Sequence, residues 1–264
     1  MRGYRLHNGK TVVPPRSYMP LICVLLFFFL YISVNVTGFN AAVICRRAYQ
    51  FFFILGQMFP PDMSYLPAIW KPLFDTIKMS LLGSVIGSVA AVPFAVMAST
   101  NIIKQRLIVS LSRLILSILR TLPTLVTALI ATYAFGLGTL AGTAAIAVFT
   151  FSYIGKVLYE LIETAEMGAF EAMESMGADR PRAFIGAVVP QILPAYFSNC
   201  LFCFEGNVRY ASILGYVGAG GLGLILNEKI GWRQYPAVGM ILIMLFAAVI
   251  VIEGISHYIR SKLA

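Results

Sequence analysis

The sequence predicts an all-α membrane protein of about six transmembrane helices, and three observations carry that prediction. Hydrophobic residues make up 59% of the 264 and charged ones only 12%, at a mean hydropathy of +0.83. Too little polar surface remains to coat a water-soluble globule. The apolar runs are continuous over about 20 residues, the length a helix needs to cross the hydrocarbon core. Alternating stretches of about 10 residues, the pattern of a membrane β-barrel, are absent.

Residues 1–20 form a basic leader with Arg2, Arg5, Lys10 and Arg16. The first span, 21–37, is longer than the apolar core of a secretory signal and has no small-x-small cleavage site, so it is expected to be retained. Segment 38–72 carries Tyr49, Phe51, Phe52, Phe53, Phe59, Tyr65 and Trp70 with Pro60, Pro61 and Pro67. Aromatic rings favour the membrane–water interface, which places this segment along the outer surface. Further spans begin near Leu73, Leu107, Thr139, Ala183 and Ala237, within a core of 73–258, and 259–264 form a tail. With the amino terminus inside, twelve of the twenty Lys and Arg fall in inner segments and seven in outer ones. That bias puts both termini in the cytoplasm. The net charge of +9 is spread along the ends of spans, not gathered in one patch with interleaved aromatics. It fits anionic membrane lipid and not nucleic acid.

In the third span Arg106, Arg113 and Arg120 recur every seven residues, with Ser110, Ser117, Thr121 and Thr124 beside them on one helical face. An Arg at mid-membrane costs about 2.5 to 3.5 kcal/mol, so Arg120 should face protein or water. It is either an inner-interface anchor or part of a path or subunit contact, next to helix-bending Pro123. Six of the eleven acidic residues, Glu160, Glu163, Glu166, Glu171, Glu174 and Asp179, fall within twenty positions. Charge alone describes a solvated loop helix. The punctuation is more specific: Gly177 can stop a helix in a left-handed conformation, Asp179 can cap the next, and Pro181 suits its first turn.

The run Glu171-Ala172-Met173, Gly177 and Ala187-Val188-Val189-Pro190 resembles the loop motif of type I ABC importer permeases: Glu-Ala-Ala, three residues, Gly, nine residues, Ile-x-Leu-Pro. Met173, Ala187 and Val189 depart from it, all by apolar exchange. Over about 70–258 the resemblance narrows to the PhnE-like phosphonate permease family. It is carried by Arg120-Thr121-Leu122-Pro123, Phe135-Gly136-Leu137-Gly138, Val189-Pro190-Gln191-Ile192-Leu193-Pro194, Phe204-Glu205-Gly206-Asn207-Val208-Arg209, and the glycine-rich stretch from Ser212 to Gly223. Methionine-type permeases share a similar glycine stretch.

The resemblance implies a MetI-like fold with a cytoplasmic coupling helix at about 163–178. That helix would meet a partner ATPase through Glu171, Ala172, Met173, Glu174, Gly177, Asp179 and Arg182. A path or gate would include Arg120, Glu205, Asn207, Arg209, Gly218, Gly220 and Gly221. Also implied are two ATPase subunits carrying ATP and Mg, a second permease copy or close paralogue, and an extracytoplasmic binding protein. The implied cargo is a phosphonate or related small oxyanion, with phosphate, phosphite and methionine as alternatives. An ATPase-independent secondary transporter is the rival, but no inverted repeat with paired broken helices is visible.

Glu205 and Arg209, four apart, can pair along one helical face, or Arg209, with Asn207, can meet an oxyanion at the outer gate. Gly218, Gly220 and Gly223 match a dinucleotide fingerprint, but follow a membrane span instead of a strand. They read as close-packed backbone, so no cofactor is assigned to this chain. Gly9-Lys10-Thr11 is only the tail end of a phosphate-binding loop. Cys200 and Cys203 lack a second pair, and His7 and His257 are the sole histidines, so neither a metal set nor a catalytic constellation is expected.

Overall fold

The computed structural model describes residues 4–5, 11–12 and 18–263. The expectations attached to Arg2, His7, Gly9, Lys10 and Arg16 lie outside the described residues. Two strands, β1 (Tyr4–Arg5) and β2 (Thr11–Val12), pair antiparallel. The chain divides into two units, 1–55 and 56–264. The first holds α1 (Met19–Val36), an apolar helix none of whose residues is buried, and most of α2 (Ala41–Gln57). α2 gives the aromatic segment after the first span a helical backbone.

The second unit is built on α3 (Leu66–Ala98) and α6 (Thr139–Thr164). Their contact follows from a stripe of small residues on α3: Ser80, Gly83, Ser84, Gly87, Ser88, Ala91 and Ala95 are all buried. Side chains this small let two backbones approach closely, the usual means of helix association in lipid. At Gly87 a Cβ would sit 2.5 Å from the Ala147 carbonyl, so α6 occupies that volume.

Where the sequence pattern runs on as one third span, the structure has two helices, α4 (Arg106–Thr121) and α5 (Thr124–Phe135), bent by 91°. Leu122 is extended, at φ −72° and ψ 123°, the conformation a following proline imposes. The break is therefore local chemistry at Leu122-Pro123. Among the described residues five helices are long and apolar enough to cross a membrane, and six if the bent pair counts as one span.

α7 (Gly168–Ser175) follows α6. Then α8 (Arg180–Ala183), a π-helical stretch (Phe184–Val188) and α9 (Val189–Leu214) run on as one long helical segment. Pro190 offers no N–H to the preceding turn and crowds it, and the wide π turn absorbs both effects. A 3-10 turn (Gly215–Val217) leads to α10 (Gly221–Gly231), and α11 (Tyr235–Leu263) closes the unit. α11 packs on α3 and α10 through Ile69, Leu73, Leu222, Val238 and Ile241.

Candidate functional site

α7 ends as its glycine requires. Gly177 has φ +92°, its N–H donates to the Glu174 carbonyl, and the Ala178 N–H donates to the Met173 carbonyl, both at 3.0 Å. This pair of bonds closes the helix in a Schellman motif, which needs a left-handed residue at that position. Phe170, 2% exposed, anchors α7 in a cluster with Ile102, Leu158, Ile162, Ala183 and Val188. Met173 lies against Gly186, where a Cβ would come 3.0 Å from its Cε. The large thioether thus fills space a small residue leaves open across the turn.

The opposite face is free: Glu171 and Ala172 are exposed, as is 80% of Met176. Glu174 pairs with Arg180 at 3.0 Å, which binds α7 to α8. The Gln191 amide also donates to the Glu166 carbonyl at 3.1 Å and accepts from its N–H at 3.0 Å. The start of α7 is thereby tied to α9. Arg180 did not stand out in the sequence, and Gln191 entered only as part of a matching stretch, since a polar residue near a charged loop carries no periodic signal.

Asp179 stands at the N-cap of α8, yet its side chain makes no capping bond. A cap accepts from the N–H of the second or third helical residue, and Pro181 occupies the second. The carboxylate lies 3.9 Å from Arg182 instead, with both groups exposed.

The glycine-rich turn is a backbone crossing. A Cβ on Gly215 would overlap the main chain of Gly223, and one on Gly223 would overlap the Ser212 carbonyl. Between them Gly218, Gly220 and Gly221 have φ of +77°, +78° and +68°. The turn docks on two other elements, with Gly138 N–H donating to the Gly218 carbonyl at 2.9 Å and Leu222 N–H donating to Thr76 Oγ1 at 2.7 Å. It follows α9 directly, with no strand before it.

The four polar candidates separate. Glu205, 4% exposed, lies 2.9 Å from the Arg260 guanidinium of α11 and does not pair with Arg209. The contact is a charge pair without hydrogen-bond alignment. The i,i+4 expectation fails because α11 presents a cation to the buried carboxylate, while Arg209 stays on an exposed edge. Asn207, 1% exposed, donates to Ser84 Oγ at 2.8 Å and Thr150 Oγ1 at 2.9 Å, joining α9 to α3 and α6. Arg120 and Arg209 are exposed, with no side-chain ion pair or hydrogen bond among the described residues.

Arg113 is fixed by several contacts: Nε donates to the Ala98 carbonyl at 2.9 Å, Nη2 meets Glu163 at 2.5 Å, and the guanidinium lies 4.8 Å from the Tyr159 ring centre. Thr100 donates to the same Glu163 oxygen through its N–H and its hydroxyl. One member of the acidic run is thus consumed in joining α3, α4 and α6. Cys203 is buried beside Thr150 and Asn207, and among the described residues no three His, Cys, Asp or Glu side chains gather as a metal set.

A family described as "Binding-protein-dependent transport system inner membrane component" matches residues 83–264. The chain is 32% identical over 211 residues to a phosphate-import permease protein PhnE of Mycolicibacterium smegmatis, a match taking in 80% of this chain and 40% of that protein. A phosphite transport system permease protein PtxC of Stutzerimonas stutzeri is 31% identical over 208 residues, covering 79% of this chain and 76% of the relative. Among solved structures, a chain of the MetNI methionine ABC transporter in an inward-facing form superposes with a TM-score of 0.69 at 20% identity, over 77% of this chain and 99% of that one. At that identity the likeness concerns the fold.

Proposed function

We infer the role of this chain from the premise that it belongs to the family of binding-protein-dependent transport system inner membrane components. It is the multi-pass permease subunit of an ATP-binding-cassette importer, and by its family it works with an ATPase and a substrate-binding protein. The finer reading is our proposal. The cargo is a phosphonate or a related small oxyanion such as phosphate or phosphite, supported by the relatives that carry the latter two. Two permease copies, or this chain and a close paralogue, share one path. Two ATPase subunits, which hold the ATP and Mg, bind inside, and both termini face the cytoplasm. The chain itself is non-catalytic.

The observation that carries the proposal is α7: a short helix closed by Gly177, seated by Phe170 and Met173, with Glu171, Ala172 and Met176 left open to a partner. A cleft in the ATPase takes that open face. When the ATPases approach on binding ATP, the two coupling helices move together, the inner gate closes and the outer opens; hydrolysis reverses the cycle. Arg182 and Asp179 flank the contact, and Arg120 and Arg209 supply exposed guanidiniums suited to an oxyanion.

Gly177→Val tests the coupling. A side chain there meets nothing within 4 Å, so the strain is conformational, about 1 to 2 kcal/mol for an L-residue held left-handed. The C-terminal turn of α7 then loosens. Basal ATP hydrolysis should persist while uptake falls, so that more ATP is spent per molecule carried. An unchanged ratio of hydrolysis to uptake refutes the role of α7. Uptake of labelled phosphonate by cells lacking and regaining the gene, with phosphate, phosphite and methionine as competitors, assigns the cargo.

A further inference from the structure

We propose that the pocket between the α3–α4 connection and the first two turns of α4 binds a phosphate-type oxyanion. The pocket holds about 500 Å³ and is lined by Thr100, Lys104, Arg106, Ser110 and Arg113 together with apolar Ile103 and Val109. Three cations therefore surround one cavity. The acid that contacts this lining, Glu163, is already engaged: a single oxygen accepts from Arg113 and twice from Thr100. Lys104 and Arg106 are exposed and have no ion pair or side-chain hydrogen bond among the described residues. Two uncompensated cations thus face a concavity whose third wall, Arg113, is held rigid by the Ala98 carbonyl and Tyr159.

That arrangement is the chemistry of oxyanion capture. Guanidinium groups bind phosphate oxygens by paired hydrogen bonds, an ammonium adds a mobile point charge, and hydroxyls complete the shell. Arg106, Val109, Ser110 and Arg113 follow one lateral face of α4, so the two guanidiniums and the hydroxyl line the same wall. Next to the pocket Leu107, 80% exposed, and Leu111, 54% exposed, offer an apolar strip along which the chains of a lipid can run. The oxyanion has two sources, a phospholipid headgroup at the inner membrane surface or a free phosphate-type anion in the cytosol. Only the sidedness rests on the orientation proposed above; binding is read without transport, so its failure leaves the permease assignment intact.

The experiment uses the assembled transporter in nanodiscs, as wild type and as Lys104→Gln/Arg106→Gln, both positions being exposed. In one arm the nanodiscs mix phosphatidylglycerol with phosphatidylcholine, and retained lipid is counted by native mass spectrometry. In the other they contain phosphatidylcholine alone, and inorganic phosphate is titrated by calorimetry. A basic side chain near an anionic surface contributes roughly fivefold, so the double variant should weaken the occupied arm by at least about tenfold. Arg106→Lys, which keeps the charge, should retain most of the binding. Loss in the phosphatidylglycerol arm identifies a headgroup, and loss in the phosphate arm a soluble anion. Equal binding by wild type and variant in both arms overturns the site. So does reduced co-purification of the ATPase with both arms unchanged, which would make the patch a protein contact.

Discussion

Replacing Arg260 by Met removes the partner of a carboxylate that is 4% exposed, and the cost can be worked from the geometry. At 2.9 Å and an effective dielectric of about 20 the gross attraction is about 6 kcal/mol. Desolvation offsets much of that, and breaking one side of a buried pair typically costs about 3 to 5 kcal/mol. Arg260 is 24% exposed, so part of its charge is already met by water, and about 2 to 4 kcal/mol is expected. Glu205→Gln should cost less, because Arg260 can turn outward while Glu205 has nowhere to go. The double variant Glu205→Gln/Arg260→Met should recover most of the loss, since no charge remains stranded. Thermal unfolding of the purified protein reads all four forms. At roughly 2 to 4 °C per kcal/mol, Arg260→Met should lower Tm by about 5 to 12 °C, Glu205→Gln by less, and the pair by less than Arg260→Met alone. Strictly additive shifts, or a larger loss for Glu205→Gln than for Arg260→Met, would refute the account.

The glycine crossing gives a second expectation. Gly223→Ala places a methyl against the Ser212 carbonyl and the Gly215 backbone, neither of which can yield as a side-chain end would, so folded yield on size-exclusion chromatography should collapse. The same change at Gly231, which has open space, should be tolerated apart from the small helix-propensity gain of Ala. Asn207→Leu strips the hydroxyls of Ser84 and Thr150 of a shared partner and should destabilise by about 1 to 3 kcal/mol, read as a lower Tm. A Tm equal to wild type would mean the two hydroxyls are satisfied within their own helices.

The long helices and some of their ends were legible because they are written locally, although α4 and α5 read as one span and neither α2 nor α10 was announced. Apolar runs mark the long helices, Pro123 marks the bend that divides α4 from α5, and Gly177 marks the end of α7. Each signal lies within a few residues of its effect. The pairings were not legible, because they join positions far apart. Glu205 has a cation four residues away in sequence, and nothing in that neighbourhood announces that Arg260 reaches it instead. Asn207 likewise meets Ser84 and Thr150, hydroxyls like many others in the chain until three helices converge. Asp179 shows a local rule only half available: Pro181 removes one of the two donors a cap can use, and the carboxylate lies toward the Arg182 side chain instead. Glu163 could be counted among the acids, but its place beside Thr100 and Arg113 depends on how α3, α4 and α6 assemble.

The unbroken helical segment from Arg180 to Val217 sets the gearing of the molecule. Its 38 residues, at about 1.5 Å each, form a rod of about 57 Å. Gln191 and Arg180 rivet its first part to α7, and its far end carries Gly215, which interlocks with Gly223. A rod of that length swung by about 5° at its base carries its tip through about 5 Å, close to one helical pitch. A small tilt applied at the α7 end is thereby magnified at the glycine crossing.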